Sequence, residues 1–413
     1  MALSLIWGSH FFVLIFEKSR STNMLRILIP ICLLLFSCKK EEIELSPFVH
    51  PDEVGLEKFY GGDQEDRANE IVVLNNELYV IGTTESFGEG AGDILLLKMD
   101  ALGNELLQRT YGGPGIEEGE GIIKLTDNNL LLIASTESFG AEKEIWLIKI
   151  DAEGKELWSS TFGGSKYDAP FDVFEHNNGE LSVLGSTTSY GEGDLDILYV
   201  RFSASGKPLF HKVYGGTKTD GGADIVESST GDLMLFCYTE SQGAGDRDLM
   251  LLKINHQGDS LWSQTYGGAA YEESQTIRLL DDDGGYLLCG HSASTDPIHN
   301  MYGIRLDKDG TVLWEKNYGG NMHDGGQAAI VNSRGNYVLV ARSMSFGDGD
   351  RNAYLVEVSA SDGSIIQEHV IGGNKNDRID DIIEFNGHYY LVGHSDSEGT
   401  TGGNDVYIVK IGI

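Results

Sequence analysis

A tripeptide of one aromatic residue and two glycines recurs along most of this 413-residue chain. Seven copies are present, spaced 51, 51, 52, 52, 52 and 53 residues apart, and isoleucine replaces the aromatic residue in the last copy. The copies begin at Tyr60, Tyr111, Phe162, Tyr214, Tyr266, Tyr318 and Ile371. An internal period of this length is typical of β-propellers and solenoids. It outweighs the two or three separate domains that the length alone would suggest.

Each repeat contains four short apolar segments separated by turn signals. In the first repeat these segments are 71–74, 78–81, 94–98 and 105–110. None of them carries a sustained helical period, so the pattern indicates a four-stranded antiparallel meander. Four strands in about 52 residues, repeated, are typical of a propeller blade. We therefore predict an all-β chain that forms a seven-bladed β-propeller with four-stranded antiparallel blades.

The two ends of the repeat region predict how the ring closes. After Ile371 the sequence has room for three strands, and one spare segment, 54–59, precedes the first repeat. The spare segment aligns with the fourth strand of the other repeats, so we expect it to complete the last blade and to leave no free sheet edge. A linear solenoid would need polar caps, and none is visible. A two-domain β-protein is the alternative.

The N-terminus reads as a secretion signal. A basic start and a short apolar run occupy 24–37, ahead of Cys38, and Met24 makes a better start than Met1. Residues 35–38, Leu-Phe-Ser-Cys, resemble the lipobox of bacterial lipoproteins, which implies a signal peptide over 1–37 and a diacylated Cys38. A non-lipidated signal with a chance cysteine is the alternative.

The residues that follow Cys38 indicate a location. Residues 39–42, Lys-Lys-Glu-Glu, resemble the tag that sends some outer-membrane lipoproteins of Gram-negative bacteria to the cell exterior, although the same residues also suit a solvated tether. We therefore expect a lipidated tether over 38–53, a propeller over 54–413, and a protein anchored to the outer membrane and exposed at the cell surface. The lipid anchor is the only membrane contact that we expect.

Charge and cysteine usage exclude some partners. The formal net charge is −34, and loss of residues 1–37, which carry a net +2, gives −34 − 2 = −36 for the mature chain. Such a surface repels phosphate backbones, so we expect no nucleic-acid partner. Two cysteines lie in the repeats, Cys237 and Cys289, and both occupy apolar runs, so we predict buried thiols without a disulfide.

A longer motif carries a family resemblance. The pattern Asp-x-x-Gly-x-x-x-Trp-x-x-x-Tyr-Gly-Gly, seen at Asp307, Gly310, Trp314 and Tyr318, resembles the propeller repeats of bacterial secreted and surface lipoproteins, which are distantly similar to quinoprotein and kelch propellers. The resemblance covers 54–413 and implies the fold, but not an activity, because propellers host many functions. No signature of a quinone cofactor cavity or of a sialidase arginine cluster is present. We therefore predict no catalytic residues and no cofactor.

A carboxylate stands six residues after the first residue of each tripeptide. These are Asp66, Glu117, Asp168, Asp220, Glu272, Asp324 and Asp377. A carboxylate in every repeat indicates a local structural role, namely accepting hydrogen bonds from the glycine amides or from a serine that recurs between the second and third strands. The alternative is an acidic ring that attracts cations. Acidic runs at 191–196 and 347–350 offer oxygens to Ca²⁺, but they lack the EF-hand spacing.

At another repeated position, the type of residue changes along the chain. At the end of the second strand, the first three repeats carry Ser or Thr, and the last four carry larger side chains. Two more histidines lie in nearby loops. The resulting candidate binding patch is Tyr238, His291, His299, His323, Arg342 and His394. Loop variation on a fixed scaffold creates binding sites, and this set suits a sugar or peptide stacked on Tyr238 and bonded by Arg342. The histidines have no recognisable metal-ligand spacing, so we predict no metal site.

These observations favour a binding protein. We expect a non-enzymatic propeller that binds a protein or glycan partner through its loops, without an indication of its oligomeric state. One alternative is an enzyme acting on extracellular polysaccharide, with two carboxylates among Asp220, Glu272 and Asp324 as acid and base. Another is a structural subunit of an envelope complex. Inter-blade packing by larger side chains is the plain explanation of the patch.

Overall fold

The structure is a computed structural model that describes residues 54–281, 283–294, 298–347, 349–397 and 399–412. These residues form 28 β-strands in seven four-stranded antiparallel sheets. No helix long and apolar enough to cross a bilayer occurs among the described residues. The predicted signal peptide, Cys38 and the tether lie outside the described residues.

The seven sheets are the blades of a β-propeller, as the repeats predict. Blade 7 contains the first strand, β1 (Val54–Tyr60), and the last three, β26 (Asp377–Phe385), β27 (His388–Ser395) and β28 (Asp405–Gly412). Blades 1 to 3 contain, in order, β2 (Asp66–Leu74), β3 (Glu77–Thr84), β4 (Asp93–Met99) and β5 (Glu105–Tyr111); β6 (Glu117–Lys124), β7 (Leu130–Thr136), β8 (Glu144–Ile150) and β9 (Glu156–Phe162); and β10 (Asp168–Glu175), β11 (Leu181–Thr187), β12 (Asp196–Phe202) and β13 (Pro208–Tyr214). Blades 4 to 6 contain, in order, β14 (Asp220–Glu227), β15 (Leu233–Thr239), β16 (Asp248–Ile254) and β17 (Ser260–Tyr266); β18 (Glu272–Leu279), β19 (Tyr286–Ser292), β20 (Asn300–Leu306) and β21 (Val312–Tyr318); and β22 (Asp324–Val331), β23 (Tyr337–Ser343), β24 (Asn352–Val358) and β25 (Ile365–Ile371).

Closure of the ring is confirmed. Blade 7 has the strand order β1-β28-β27-β26, and β1 pairs antiparallel with β28, with Lys58 opposite Ile408. The ring of Phe59 stacks on Tyr407 at a centroid distance of 5.2 Å. Because the first and last strands share one sheet, β28 has no free edge.

The core lies between blades. Each of seven buried apolar clusters in the described chain combines residues of two adjacent blades. One of them joins Leu78 of blade 1 to Tyr390 of blade 7, so the same packing continues across the closure. Cys237 and Cys289 are buried and unpaired in two of the clusters, as predicted. Second strands such as β7 are buried on both faces, whereas fourth strands such as β9 are partly exposed.

The repeated tyrosine links neighbouring blades. The hydroxyl of Tyr266 donates to the carbonyl of Gly310 at 2.8 Å, and that of Tyr318 donates to Gly363 at 2.8 Å. Each acceptor is a turn glycine of the next blade, and Gly310 and Gly363 have φ of 86° and 67°, where glycine is favoured. The tyrosine and the turn glycine of the motif therefore form one inter-blade contact.

A β-bulge in the first strand of every blade shapes the centre of the ring. In blade 1 the register shifts between Ala68 and Glu70, so Asn69 is the bulged residue. The bulged residues are Asn69, Glu120, Phe171, Ala223, Gln275, Gln327 and Asp380. All seven line one central cavity of about 420 Å³. Bulges turn side chains away from the regular pleat, which here places one residue per blade in this cavity.

Candidate functional site

The loops before each first strand and between each second and third strand lie on one side of the ring, which we call the loop face. Four predicted patch residues lie at the loop-face ends of second strands, on β15, β19, β23 and β27. Each is paired with a residue of the first strand, namely Tyr238 with Gly221, His291 with Glu273, Arg342 with Gly325 and His394 with Arg378. The patch therefore covers four adjacent blades of the loop face.

Tyr238 takes part in an arginine stack. The guanidinium of Arg247 lies 4.2 Å from the ring centroid of Tyr238 and 4.8 Å from that of Tyr271. Arg247 also donates to the hydroxyl of Tyr271 at 2.7 Å and forms an ion pair with Glu240 at 2.8 Å. One face of the Tyr238 ring therefore carries a guanidinium and not a free surface for a sugar. Sequence reasoning missed Arg247 and Tyr271.

Three histidines converge beside this stack. His291, His299 and His323 each offer a ring nitrogen, and these nitrogens lie within 4.8 Å of one another. The rings of His299 and His323 stack at a centroid distance of 5.4 Å. Burial lowers the pKa of His291 to about 3, and the pKa of His323 is also lowered, by burial and then by the charge of a neighbouring histidine. Both rings are therefore neutral at physiological pH.

Two of the histidines hold buried nitrogens without a partner. The Nδ1 atoms of His291 and His299 are buried and make no hydrogen bond. On its other side, Nε2 of His291 lies 3.9 Å from the carboxylate of Glu273. An unsatisfied buried nitrogen costs free energy unless a ligand fills its place. The three histidines, which we call the histidine cluster, are thus a group on the loop face that could hold a cation.

Arg342 lies next to the histidine cluster. A Cβ built on Gly325 would lie 3.2 Å from the His323 ring and 3.5 Å from Nε of Arg342, so both side chains contact this glycine. The Nε atom of Arg342 is buried without a hydrogen-bond partner. Burial lowers the pKa of Arg342, and the charge of Arg378 adds to the effect. The carboxylates of the protein therefore do not fully compensate the positive charge of Arg342.

His394 belongs to a neighbouring cavity. Its Nδ1 lies 3.6 Å from Asp380, and Arg378 donates to the same carboxylate at 2.5 Å. These three residues line a cavity of about 350 Å³, together with Arg67 and Glu118. Burial raises the pKa of Asp380, but the contacts with His394 and Arg378 outweigh it, so the pKa is lowered overall. Of the six predicted patch residues, Tyr238 is connected to the histidine cluster through Arg247 and Tyr271, whereas His394 lies in a separate cavity.

The repeated carboxylates close the loops of their own blades. Asp220 accepts hydrogen bonds from the Gly216 amide at 2.7 Å and from the Ser241 hydroxyl at 2.6 Å. It is fully buried, and Thr239 also donates to it. The equivalent residues, all at most 1% exposed, are Asp66, Glu117, Asp168, Glu272, Asp324 and Asp377. Their geometry is that of hydrogen-bond acceptors that stabilise turns, and Asp220, Glu272 and Asp324 are fully buried.

A second set of acidic residues, repeated in several blades, also accepts hydrogen bonds from loops of the same blade. Asp93, Asp196 and Asp248, each just ahead of a third strand, accept hydrogen bonds from the amides of the preceding glycine-rich loops at 3.0 Å. Burial raises the pKa of all three carboxyls. The predicted Ca²⁺ oxygens of the run 191–196 therefore include a carboxylate that is already bonded to backbone amides. Asp348, in the run 347–350, lies outside the described residues.

Sequence reasoning missed a set of buried and half-buried carboxylates around the central cavity. Glu70 accepts the amide of Ile122 at 2.7 Å, Asp172 that of Ile225 at 3.0 Å, and Asp381 that of Ile71 at 3.1 Å. The fourth, Asp224, accepts the amide of Ile277 at 2.9 Å and forms an ion pair with Arg278 at 2.9 Å. Each carboxylate thus bonds a strand of the next blade. Their position, four residues after the repeated carboxylate, was a readable signal.

The electrostatics of this inner set follow from burial. Burial raises the pKa of Glu70 to about 8, and the charge of Asp381 adds to the effect. Burial raises the pKa of Asp381 to about 6, although the charge of Arg278 opposes the shift. In the cavity itself, burial and the charge of Glu118 raise the pKa of Glu120 to about 7. Of the carboxyls that line the central cavity, Glu70 and Glu120 therefore bind protons near neutral pH, whereas Asp380, whose pKa is lowered, is ionised there.

Comparisons with known proteins give a distant relative and no family. No protein-family model matches the chain. A curated relative is the Regulatory protein FlaEY of Caulobacter vibrioides, which is 21% identical over 380 residues, covering 81% of this chain and 36% of FlaEY. The chain thus spans about a third of the length of the curated relative that it matches.

Solved structures share the fold. Puromycin hydrolase has a TM-score of 0.54 at 13% identity and is matched over 86% of this chain and 54% of its own. The Pan2 WD40 domain of Neurospora crassa has a TM-score of 0.52 at 9% identity, over 88% of this chain and 98% of its own. At such identities the likeness extends to the fold alone. The chain is a seven-bladed β-propeller, distantly similar in sequence to a regulatory protein.

Proposed function

We propose that this protein is a non-enzymatic, lipid-anchored surface propeller that binds an acidic protein or glycan through the loop face of blades 4 to 7. The observation that carries the proposal is Arg342, a half-buried guanidinium whose Nε has no hydrogen-bond partner, on a chain of net charge −34. An anion is the partner that satisfies such a group, since arginine forms strong charge-assisted hydrogen bonds with carboxylates and sulfates.

Two neighbours support recognition of an anion. Arg378 lies within electrostatic reach of Arg342, and exposed Arg351 contributes to the same positive field. Elsewhere the strong negative charge repels acidic molecules, so a local cluster of arginines directs an acidic partner to one side of the ring. The name of FlaEY, a regulatory protein, fits a partner-binding role better than a catalytic one.

The patch also favours binding over turnover. The carboxylates weighed as acid and base, Asp220, Glu272 and Asp324, are buried and bonded within their own blades. A glycosidase needs two carboxyl groups that reach the scissile bond from opposite sides. Release of reducing sugar from an acidic polysaccharide by the wild-type protein would favour the enzyme alternative.

Binding is tested with the full-length protein, an acidic polysaccharide such as polygalacturonate, and a poly-glutamate peptide as the protein-like probe. We expect R342A to weaken binding of the recognised probe by at least about tenfold, because a charge-assisted hydrogen bond contributes about 1.5–3 kcal/mol. R109A, which removes an exposed arginine from blade 1, is the matched control and is expected to bind normally. Equal binding by R342A and wild type, or no binding of either probe, would contradict the proposal.

The lipid anchor is tested separately. If Cys38 is diacylated, cells fed a labelled fatty acid incorporate the label into the wild-type protein and not into C38S, and C38S leaves the membrane fraction. Protease added to intact cells is expected to digest the wild-type protein if it faces the exterior. Labelling of C38S, or protection from protease, would contradict the anchor or its orientation respectively.

A further inference from the structure

We propose that His291, His299 and His323 bind a divalent transition-metal ion of the zinc type. Three imidazoles are a common protein ligand set for such ions, and they leave a coordination position for water or for another ligand. The proposal does not depend on the acidic partner, since the three rings define the site by themselves. Their sequence spacing gives no signal because the three residues come from a strand and two loops of two blades.

The distances between the three ring nitrogens are slightly longer than in a zinc site with bound metal. The three ring nitrogens lie within 4.8 Å of one another. Three tetrahedral imidazole nitrogens at about 2.1 Å from zinc stand about 3.4 Å apart. The most distant pair therefore needs to approach by little more than about 1 Å, which side-chain rotation of the half-buried His299 and His323 supplies.

The backbone around the three histidines is fixed. His291 lies on β19 and pairs with Glu273 on β18. The carbonyl of His299 accepts the amide of Asp324 at 3.0 Å, and that of His323 accepts the amide of Met344 at 2.9 Å. Because each segment is held by a sheet or by a loop-to-strand hydrogen bond, the rings are positioned before any ligand binds, which lowers the entropic cost of binding.

Unsatisfied nitrogens point independently to a ligand. The side chain of His291 is 8% exposed, and its Nδ1 is buried without a hydrogen bond, as is Nδ1 of His299. Buried polar atoms are nearly always paired in folded proteins, and an exception calls for an ion, a water or a functional role. An ion at the centre of the cluster would give such nitrogens a partner.

The surrounding charges permit a cation. The carboxylate of Glu273 lies 3.9 Å from Nε2 of His291, which is the position of a second-shell carboxylate that orients a histidine ligand. Arg247 is neutralised by ion pairs with Glu240 at 2.8 Å and Glu273 at 3.4 Å. Arg342 and Arg351 are further positive neighbours, and Arg342 would assist an anion at the open coordination position.

The test is a titration of the full-length, chelator-treated protein with Zn²⁺ by calorimetry, and with Co²⁺ by visible absorption, which reports tetrahedral coordination. We expect one ion per chain at this site. H299N and H323Q each remove one imidazole, and we expect each to weaken binding by at least about 100-fold, more than the 10–100-fold typical of second-shell changes. Asparagine suits position 299, because His299 has a φ of 57° and asparagine tolerates this conformation.

H256A, which removes an exposed histidine outside the cluster, is the matched control and is expected to bind zinc like the wild type. Thermal unfolding without metal shows that each variant is folded. Zinc binding of equal affinity in H299N, H323Q and wild type would overturn the proposal, as would the absence of bound ion at about millimolar zinc. Loss of zinc binding in H323Q with unchanged binding of the acidic probe would support this site and leave the proposed function intact.

Discussion

At the scale of single residues, the inner carboxylates make stability depend on pH. The pKa of Glu70 is raised to about 8 by burial and by the charge of Asp381. A carboxyl whose pKa is higher in the folded state binds its proton more tightly there than in the unfolded chain. Its contribution to stability is therefore full below the unfolded pKa and is lost as the pH rises through the folded value.

We predict that E70Q is more stable than the wild type above about pH 8 and similar to it near pH 4, with a difference on the order of a few kcal/mol. Glutamine stays neutral and keeps an oxygen for the amide of Ile122, which Glu70 accepts at 2.7 Å. Urea denaturation at a series of pH values measures the difference. E153Q, at an exposed position, is the control. Parallel pH profiles of E70Q and wild type would show that Glu70 does not titrate as described.

The roles of individual residues were only partly predictable from the sequence. The local bonding of Asp220 follows from a column that repeats in every blade, because the same turn recurs in each. The histidine cluster did not follow, because His291, His299 and His323 meet through the packing of two blades. The stacking of Arg247 on Tyr238 lies within blade 4, and it was missed because an arginine does not stand at this loop position in every blade. Repetition reveals local contacts, and contacts made once between blades leave no periodic signal.

At the scale of strands, the sequence predicted the apolar segments of the strands well but not their polar ends. The first strand of blade 1 was expected at 71–74, whereas β2 begins at Asp66. Apart from Ala68, which packs in the apolar core, its early residues are polar because they lie at the loop face or border a polar cavity. A strand that borders a polar cavity therefore lacks the alternation by which strands are recognised.

The tyrosine of the repeat is expected to stabilise the contact between blades. Y318F leaves the carbonyl of Gly363 without its donor, which lies at 2.8 Å in the folded protein. We predict a loss of about 1 kcal/mol in the free energy of unfolding, the usual contribution of one buried hydrogen bond. Urea denaturation measures it. Y167F is the control, because the Tyr167 hydroxyl makes no hydrogen bond within the described residues, and an equal loss in both variants would remove the hydrogen bond as the cause.

At the scale of the whole molecule, the period of the tripeptide predicts the number of blades, and the partial repeats at the two ends predict the closure. Both follow from counting, since a ring of identical modules has one module per repeat. The candidate patch could be located on the ring only by noting where the residue type at a repeated position changes. The separation of these residues into an arginine stack, a histidine cluster and a separate cavity could not be predicted from the sequence, because it depends on how the blades pack.

Closure by the N-terminal strand is expected to determine the stability of the entire ring. A chain that begins at Gly61 lacks β1, so the edge of β28 and the face of Tyr407 that stacks on Phe59 become exposed. An unpaired edge strand promotes aggregation, and an open ring loses the cooperative packing between its ends. We predict that this chain unfolds at a clearly lower temperature than a chain that begins at Val54, and that it elutes partly as aggregates in size-exclusion chromatography.

A synthetic peptide with the sequence of β1, VGLEKFY, provides the decisive control for closure. Because β1 pairs antiparallel with β28 from Val54 opposite Ile411 to Tyr60 opposite Val406, with a bulge at Gly55, the peptide is expected to bind the chain that begins at Gly61 and to raise its unfolding temperature. A peptide with the same composition in scrambled order lacks the side-chain alternation and is expected to have little effect. If the shortened chain is as stable as the longer one, or if both peptides stabilise it equally, the ring does not depend on this strand for its closure.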